Sequence, residues 1–337
     1  MRKNMLRTTA AAVGMLILIL DSRSALMGAK NGMELCIQTL IPSLFPFFVL
    51  SSLLTGSMIG QSFRLLHPVF RLLGVPEGAE SLLTVGFLGG YPVGAQNIAL
   101  AYHTGSISKS EAERMLAFCN NAGPAFIFGI LGQMFSNPYV PWVLWGIHVA
   151  SALIVAILLR EKKPKSAVLP CRSISFSDSL ASSLKVMALV CGWVILFRVM
   201  LTFLERWILW LFPDVFQIIF SGILELSNGC IQLGSVPSEG LRFILASIFL
   251  SLGGLCVAMQ TVSVTKGLSL KLYSLGKAMQ CAFSFLMCAL LQFLFLPEQR
   301  ASVPKSMTAV SIVLVLMLRF LICKMKKRSS IPAAVGV

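Results

Sequence analysis

Apolar positions in this chain of 337 residues are grouped into long runs. The stretches 82–101, 142–159, 241–264, 278–296 and 308–323 carry almost no formal charge. Each is close to the ~20 residues a helix needs to cross a ~30 Å hydrocarbon core. The pattern predicts helix at about 8–28, 34–57, 80–101, 109–119, 123–136, 139–160, 181–204, 207–226, 241–264, 272–296 and 305–324. Residues 61–74, with Arg64, His67 and Arg71, read as an amphipathic piece at the membrane surface. Ser108 with Glu111 fits a capping box that opens a short helix. The fold class expected is all-α: a polytopic membrane protein with about 8–10 membrane helices or half-helices in two repeated halves.

Composition strengthens this picture. Hydrophobic residues make up 56% of the chain and charged residues 12%, against roughly 25% charged in a soluble domain. The net charge of +15 is concentrated at Arg2, Lys3 and Arg7, at Arg160, Lys162, Lys163, Lys165 and Arg172, and at Lys324, Lys326, Lys327 and Arg328. Cytoplasmic flanks of membrane helices are rich in Lys and Arg, so the N-terminus, the central linker and the C-terminal tail are expected in the cytoplasm. No basic face carries interleaved aromatics, which argues against a nucleic-acid partner. The nine cysteines form no CxxC or Cys/His cluster and read as small packing residues. Residues 2–20 have the charge and length of a signal-peptide front half. No small-x-small site precedes Asp21, so an uncleaved first membrane helix is expected.

The hydrophilic stretch 160–179, with Pro164 and Pro170, divides the chain into two apolar halves. Residues 87–96 (Phe-Leu-Gly-Gly-Tyr-Pro-Val-Gly-Ala-Gln) align with 251–260 (Ser-Leu-Gly-Gly-Leu-Cys-Val-Ala-Met-Gln). Gly105 to Lys109 then aligns with Gly267 to Lys271, which points to a duplication. The expected organisation is an N-terminal membrane helix (1–30), a first repeat (31–160), a basic linker (161–179), a second repeat (180–325) and a tail (326–337). Repeats of this kind usually serve transport, with solute held between the units near the midplane.

The strongest candidate chemistry is the run Gly89, Gly90, Tyr91, Pro92, Gly94, Gln96 and Asn97, which should break a spanning helix. Backbone freed in this way is tolerated at membrane depth only against protein or a wet cavity, and broken helix ends suit anionic groups. Close glycine packing between helices is the plainer alternative. The second half offers Gly253, Gly254, Gln260 and Thr261 as the facing segment. Asn120 and Asn121, followed by Pro124, can read a polar solute or cap a helix end. Glu225, with Asn228, is an acid among apolar neighbours, and such groups are functional candidates. Arg198 reads as the lone basic residue deep in a span. It is either a solute anchor or the partner of Glu225 or Glu34, and Glu34 and Gln38 share the same ambiguity. His67, His103 and His148 lack metal-ligand spacing, and no catalytic constellation is present. No enzyme activity, metal or cofactor is expected.

These same residues carry a resemblance to a family. Residues 40–48 (Leu-Ile-Pro-Ser-Leu-Phe-Pro-Phe-Phe), Gly90-Tyr91-Pro92 with Gly94 and Ala95, and Asn120 with Pro124, Phe126, Ile127 and Gly129 are its first-half motifs. Glu225 with Gly222 and Gly229, and Gly253-Gly254 with Val257 and Gln260, are its second-half motifs. The ordered set resembles the YlbJ-like sporulation integral membrane proteins of the nucleoside-recognition, or gate, domain family. That resemblance implies a multi-pass protein at the cell or outer forespore membrane of an endospore-forming bacterium. It also implies movement of a small solute, with the dianion dipicolinate favoured. Partners implied are the lipid bilayer and that solute, with a homo-oligomer or a sporulation membrane partner left open. A nucleoside permease and a non-transporting scaffold are the alternatives. Two positions depart from the family pattern: Gln96 stands where a lysine is common, and Ala122 where a hydroxyl residue is common. Loss of that cation weakens the case for a dianion at that spot.

Overall fold

A computed structural model describes residues 2–58, 67–161, 167 and 175–295. The expected helix at 305–324, most of the basic linker and the C-terminal tail lie outside the described residues. So do residues 59–66 of the expected surface piece. Helix α1 (Arg2–Leu20) is followed by α2 (Ser22–Leu35), a π-turn (Cys36–Leu40) and α3 (Ile41–Met58). Next come α4 (His67–Leu72), α5 (Glu80–Gly89), α6 (Val93–His103), α7 (Lys109–Cys119), α8 (Pro124–Gly129) and α9 (Val140–Leu158). The second half contains α10 (Phe176–Trp207), α11 (Asp214–Leu224), α12 (Leu226–Gln232), α13 (Glu239–Leu252), α14 (Gly254–Val264) and α15 (Lys271–Phe295). There is no strand among the described residues. Among the described residues, five helical segments are long and apolar enough to cross a membrane: Ser22–Leu54, Val140–Leu158, Phe176–Trp207, Glu239–Val264 and Lys271–Leu291. The fold class is therefore all-α, with half-length pieces between the spans.

Three boundaries differ from expectation, each for a local reason. The break expected between residues 28 and 34 falls instead at Asp21, whose carboxylate caps α2 by accepting the Ser24 N–H at 3.3 Å. Residues 28–33 look loop-like because they are small and polar, yet their glycines serve packing. A Cβ on Gly28 would lie 2.8 Å from Val199 Cα, and one on Gly32 would lie 2.9 Å from Ile195 Cα. The two backbones thus touch, as small residues allow between membrane helices. Helix α10 begins inside the expected linker, because Ser175 caps it by accepting the Asp178 N–H at 3.1 Å. The expected breaks in 80–101 and 241–264 fall at Gly90 and Gly253, whereas the expected helix at 207–226 is also interrupted, at Glu225.

The expected capping box is formed: Glu111 N–H donates to Ser108 Oγ (3.3 Å) and Ser108 N–H to Glu111 Oε2 (2.9 Å). The aligned halves have nevertheless diverged. Helix α7 stops at Asn120 in extended backbone, whereas α15, its counterpart after the Gly267 turn, continues for 25 residues. α15 packs against α7, α9 and α13, and so brings one unbroken helix past the breaks of the others.

Replacing Gly32 with valine forces a branched side chain into the α10 backbone. Overpacking of this kind costs about 1–3 kcal/mol. The variant is expected to melt several degrees below the parent in detergent, read by thermal-shift gel filtration; an unchanged melting temperature would contradict the packing.

Candidate functional site

The interruptions converge. Gly90 (φ +73°) and Gly253 (φ +73°) adopt left-handed backbone that L side chains rarely adopt. Gly90 abuts the stretch 120–123, where a Cβ on it would lie 2.9 Å from Gly123 N. Tyr91 crosses to the second half: its ring lies where a Gly253 side chain would begin, 3.2 Å away. Its hydroxyl donates to Leu250 O at 3.1 Å, in the last turn of α13. Asn120 binds α6 and α14 at once. Its Oδ1 accepts the Ala95 N–H (3.3 Å), and its Nδ2 donates to Thr261 Oγ1 (2.9 Å).

A crevice opens at this junction, with about 510 Å³ of empty space including its open mouth. Gly89, Gly90, Tyr91, Ala122, Gly123 and Phe126 form one side; Glu225, Leu226, Ser227, Val257 and Gln260 form the other. Gln260 is buried and its Nε2 donates to Cys256 Sγ at 3.4 Å. Glu225 is 1% exposed at the α11–α12 break. Its carboxylate accepts Ser227 N–H (3.0 Å), Asn228 N–H (2.7 Å) and Asn228 Nδ2 (2.7 Å). Both oxygens are thereby engaged in the first turn of α12, where N–H donors offset negative charge. Phe249's ring fills the place of a Gly222 side chain, which lets this break close against α13.

Behind Tyr91 lies a residue that the sequence reading missed. Lys277, on α15, is 4% exposed, and its Nζ has three acceptors: Tyr91 Oη (3.2 Å), Asn121 Oδ1 (3.1 Å) and Gln280 Oε1 (2.9 Å). Three acceptors match the three donors of an ammonium. The Tyr91 and Tyr273 rings lie at 5.1 and 5.9 Å, within cation–π range. Among the described residues, no carboxylate pairs with Lys277. The network continues through Gln280 Nε2, which donates to Asn121 Oδ1 (3.0 Å) and to His148 O (3.2 Å). The His148 ring accepts the Ala122 N–H at Nε2 (3.1 Å). The sequence does carry a signal for this cluster. Tyr273, Lys277, Gln280 and Ser284 fall at i, i+4, i+7 and i+11, a polar stripe along an apolar helix. Measuring the apolar run from residue 278 cut Lys277 out of it.

Several expected site residues lie elsewhere. Arg198 holds neither Glu225 nor Glu34, and it is not the lone deep cation. It forms a bidentate pair with Glu205 on its own helix, at 2.7 and 3.2 Å. Seven residues is two turns, so the long guanidinium reaches a partner its own helix supplies. Gln96 is exposed on the outer face of α6, one residue beyond the buried Ala95. Asn97 Nδ2 is spent on Val93 O (3.0 Å), Glu34 and Gln38 are exposed, and Asn228 serves the Glu225 cap. Gly94 packs on Cys119 O, a Cβ on Gly254 would lie 3.1 Å from Gly222 O, and Pro92 and Pro124 open α6 and α8. Asn121 and Thr261 belong to the polar junction but are not crevice walls.

The chain is similar to the sporulation integral membrane protein YlbJ of Bacillus subtilis (strain 168). The two are 26% identical over 285 residues, which is 70% of this chain and 69% of the relative. No protein-family model matches the chain. No solved structure matches it. With the apolar spans, this similarity makes the protein an integral, multi-pass membrane protein.

Replacing Asn120 with alanine strips partners from the Ala95 N–H and Thr261. Leaving such buried groups unmade costs about 1–3 kcal/mol each. The variant is expected to lower the melting temperature in detergent clearly, whereas Gln96→Ala leaves it within error.

Proposed function

We propose that the protein is a permease for a small anionic solute, with dipicolinate, a pyridine ring carrying two carboxylates, as the favoured case during endospore formation. The observation that carries this reading is Lys277. It is a buried amine within a segment long and apolar enough to span a membrane, it has neutral acceptors only, and one of them is the hydroxyl of Tyr91, which lines the crevice. Ionisable groups in such places are costly and are usually functional. A carboxylate entering the crevice would take the place of Tyr91 Oη on Lys277, while the apolar walls and the tyrosine ring would face the solute's aromatic plane. In this reading Lys277 also answers the missing lysine at Gln96: the cation comes from α15 of the other half. The sporulation setting is supported by the name of the B. subtilis relative. The basic residues near the N-terminus and in the linker support placing those segments on the cytoplasmic side. The glycine breaks and the half-helices around them are parts that transporters share, and this favours a permease over an enzyme or a scaffold.

Uptake by purified protein in liposomes tests the reading. Dipicolinate is expected to enter and nucleosides are not. Replacing Lys277 with methionine removes hydrogen bonds to a charged group worth about 1.5–3 kcal/mol, or about ten- to a hundredfold in apparent affinity. Gln96→Ala is expected to transport like the parent. Nucleoside uptake, or undiminished dipicolinate uptake by Lys277→Met, would contradict it.

A further inference from the structure

His148 sits at one end of the Lys277 network and behind the crevice wall, which it touches through the Ala122 N–H. It is 1% exposed, in the middle of α9. A backbone N–H only donates, so the 3.1 Å bond from Ala122 fixes His148 Nε2 as an acceptor without hydrogen. The ring is therefore neutral, with its hydrogen on Nδ1. That hydrogen faces Gln280 Nε2 at 3.4 Å, a second donor, already spent on Asn121 Oδ1 and His148 O. Gln280 is held in this orientation because its Oε1 must accept from Lys277. Through Gln280, the state of Lys277 thus decides how His148 is surrounded. The cluster accommodates one positive charge, on Lys277.

From this geometry we infer that the solute anion crosses together with a proton carried on His148. The inference rests on the permease reading. A dianion seated on Lys277 brings two negative charges, of which the ammonium balances one. A proton from the water on the entry side then adds to His148 Nε2, forming an N–H bond there as the Ala122 N–H···Nε2 bond breaks. The charges of the solute, Lys277 and His148 then cancel, which suits passage through a low-dielectric layer, while the Glu225 carboxylate on the facing wall stays held by the α12 N–H groups. On the exit side the proton leaves Nε2 for water as the anion leaves Lys277, and the Ala122 bond re-forms. Because Ala122 and Gly123 line the crevice, the proton also frees the unwound stretch that closes it. Solute binding and protonation therefore promote each other by the same factor.

Among the described residues, no other charged group on the elements packed against α9 takes this role from His148. On α15, Tyr273 and Lys277 face the cluster. On α7, Arg114 donates to Gly74 O, Glu111 serves the Ser108 cap, Glu113 accepts the Ser269 N–H, and Cys119 ends the helix. On α13, Glu239 lies in the first turn and Arg242 donates to Met134 O and Val236 O, while Ser251 supplies only a hydroxyl. α8 and the turn Leu131–Met134 contain no titratable side chain. Tyr91 enters from the Gly90 break.

The test uses His148→Gln, whose amide oxygen can still accept from Ala122 but whose side chain carries no proton. In liposomes the parent is expected to accumulate dipicolinate at least fivefold under an inward proton gradient and to alkalinise the outer medium. The variant is expected to equilibrate dipicolinate downhill with no response to the gradient. On detergent-solubilised protein in weak buffer, a pH dye should report about one proton taken up per dipicolinate bound by the parent and none by the variant. A parent that transports dipicolinate with no effect of the gradient overturns the coupling and leaves the permease reading standing. Unaltered proton-driven accumulation by His148→Gln overturns His148 as the carrier. Absence of any dipicolinate binding or uptake by the parent sinks the permease reading and the coupling with it.

Discussion

Unwound backbone within a hydrocarbon layer must find hydrogen-bond partners in the protein, because no water is there to supply them. This requirement organises the molecule. Helices α5–α6, α7–α8, α11–α12 and α13–α14 each break between two short pieces, and the breaks are served by side chains from other elements. Asn120 takes the Ala95 N–H and holds Thr261, His148 takes the Ala122 N–H, Tyr91 reaches Leu250 O, and Glu225 takes the first N–H groups of α12. Because Tyr91 and Asn120 each span the two halves, the same bonds that satisfy the breaks also clamp the halves together. Glycines make the approach close enough, and α15 supplies the straight support.

The same constraint explains why a cation can sit in the middle. An isolated buried ammonium is expensive, and it is tolerated only when fully hydrogen-bonded. Lys277 meets this condition with three neutral oxygens and two aromatic rings rather than with a carboxylate. The result is a positive site without a fixed counterion, next to a mostly apolar crevice. A carboxylate in the same place would have neutralised it and closed it to anions. Glu225, on the facing wall, is kept from that role because its oxygens are engaged within α12. The Lys277 amine and the Glu225 carboxylate thus stay unpaired, each satisfied by its own surroundings.

Much of the fold was legible in the runs of apolar residues, since length and lack of charge are what a spanning helix requires. The glycine pairs at 89–90 and 253–254 were legible as breaks for a similar reason: few sequences tolerate them inside a helix. Pairing was harder to see. Arg198 stood out as a charge in an apolar run, but its partner Glu205 lay two turns on in the same helix. Gln96 matched Gln260 in the alignment, yet one residue of helical rotation separates the exposed Gln96 from the buried Ala95. Lys277 was obscured by where the apolar run was taken to begin. Helix α15 starts at Lys271, one residue before its expected start, so Lys277 lies nearly two turns inside it, within the expected helix but just outside the apolar run. His148 is ordinary by sequence, because its role comes from the Ala122 amide 26 residues before it.

The most direct measurement is an experimental structure of the protein with dipicolinate bound. The account predicts density for the solute in the crevice between the Gly90 and Glu225 breaks, with one carboxylate within hydrogen-bond distance of Lys277 Nζ and Tyr91 displaced from it. Solute bound at another place, or a Lys277 still enclosed by Tyr91, Asn121 and Gln280 with solute in the crevice, would contradict it.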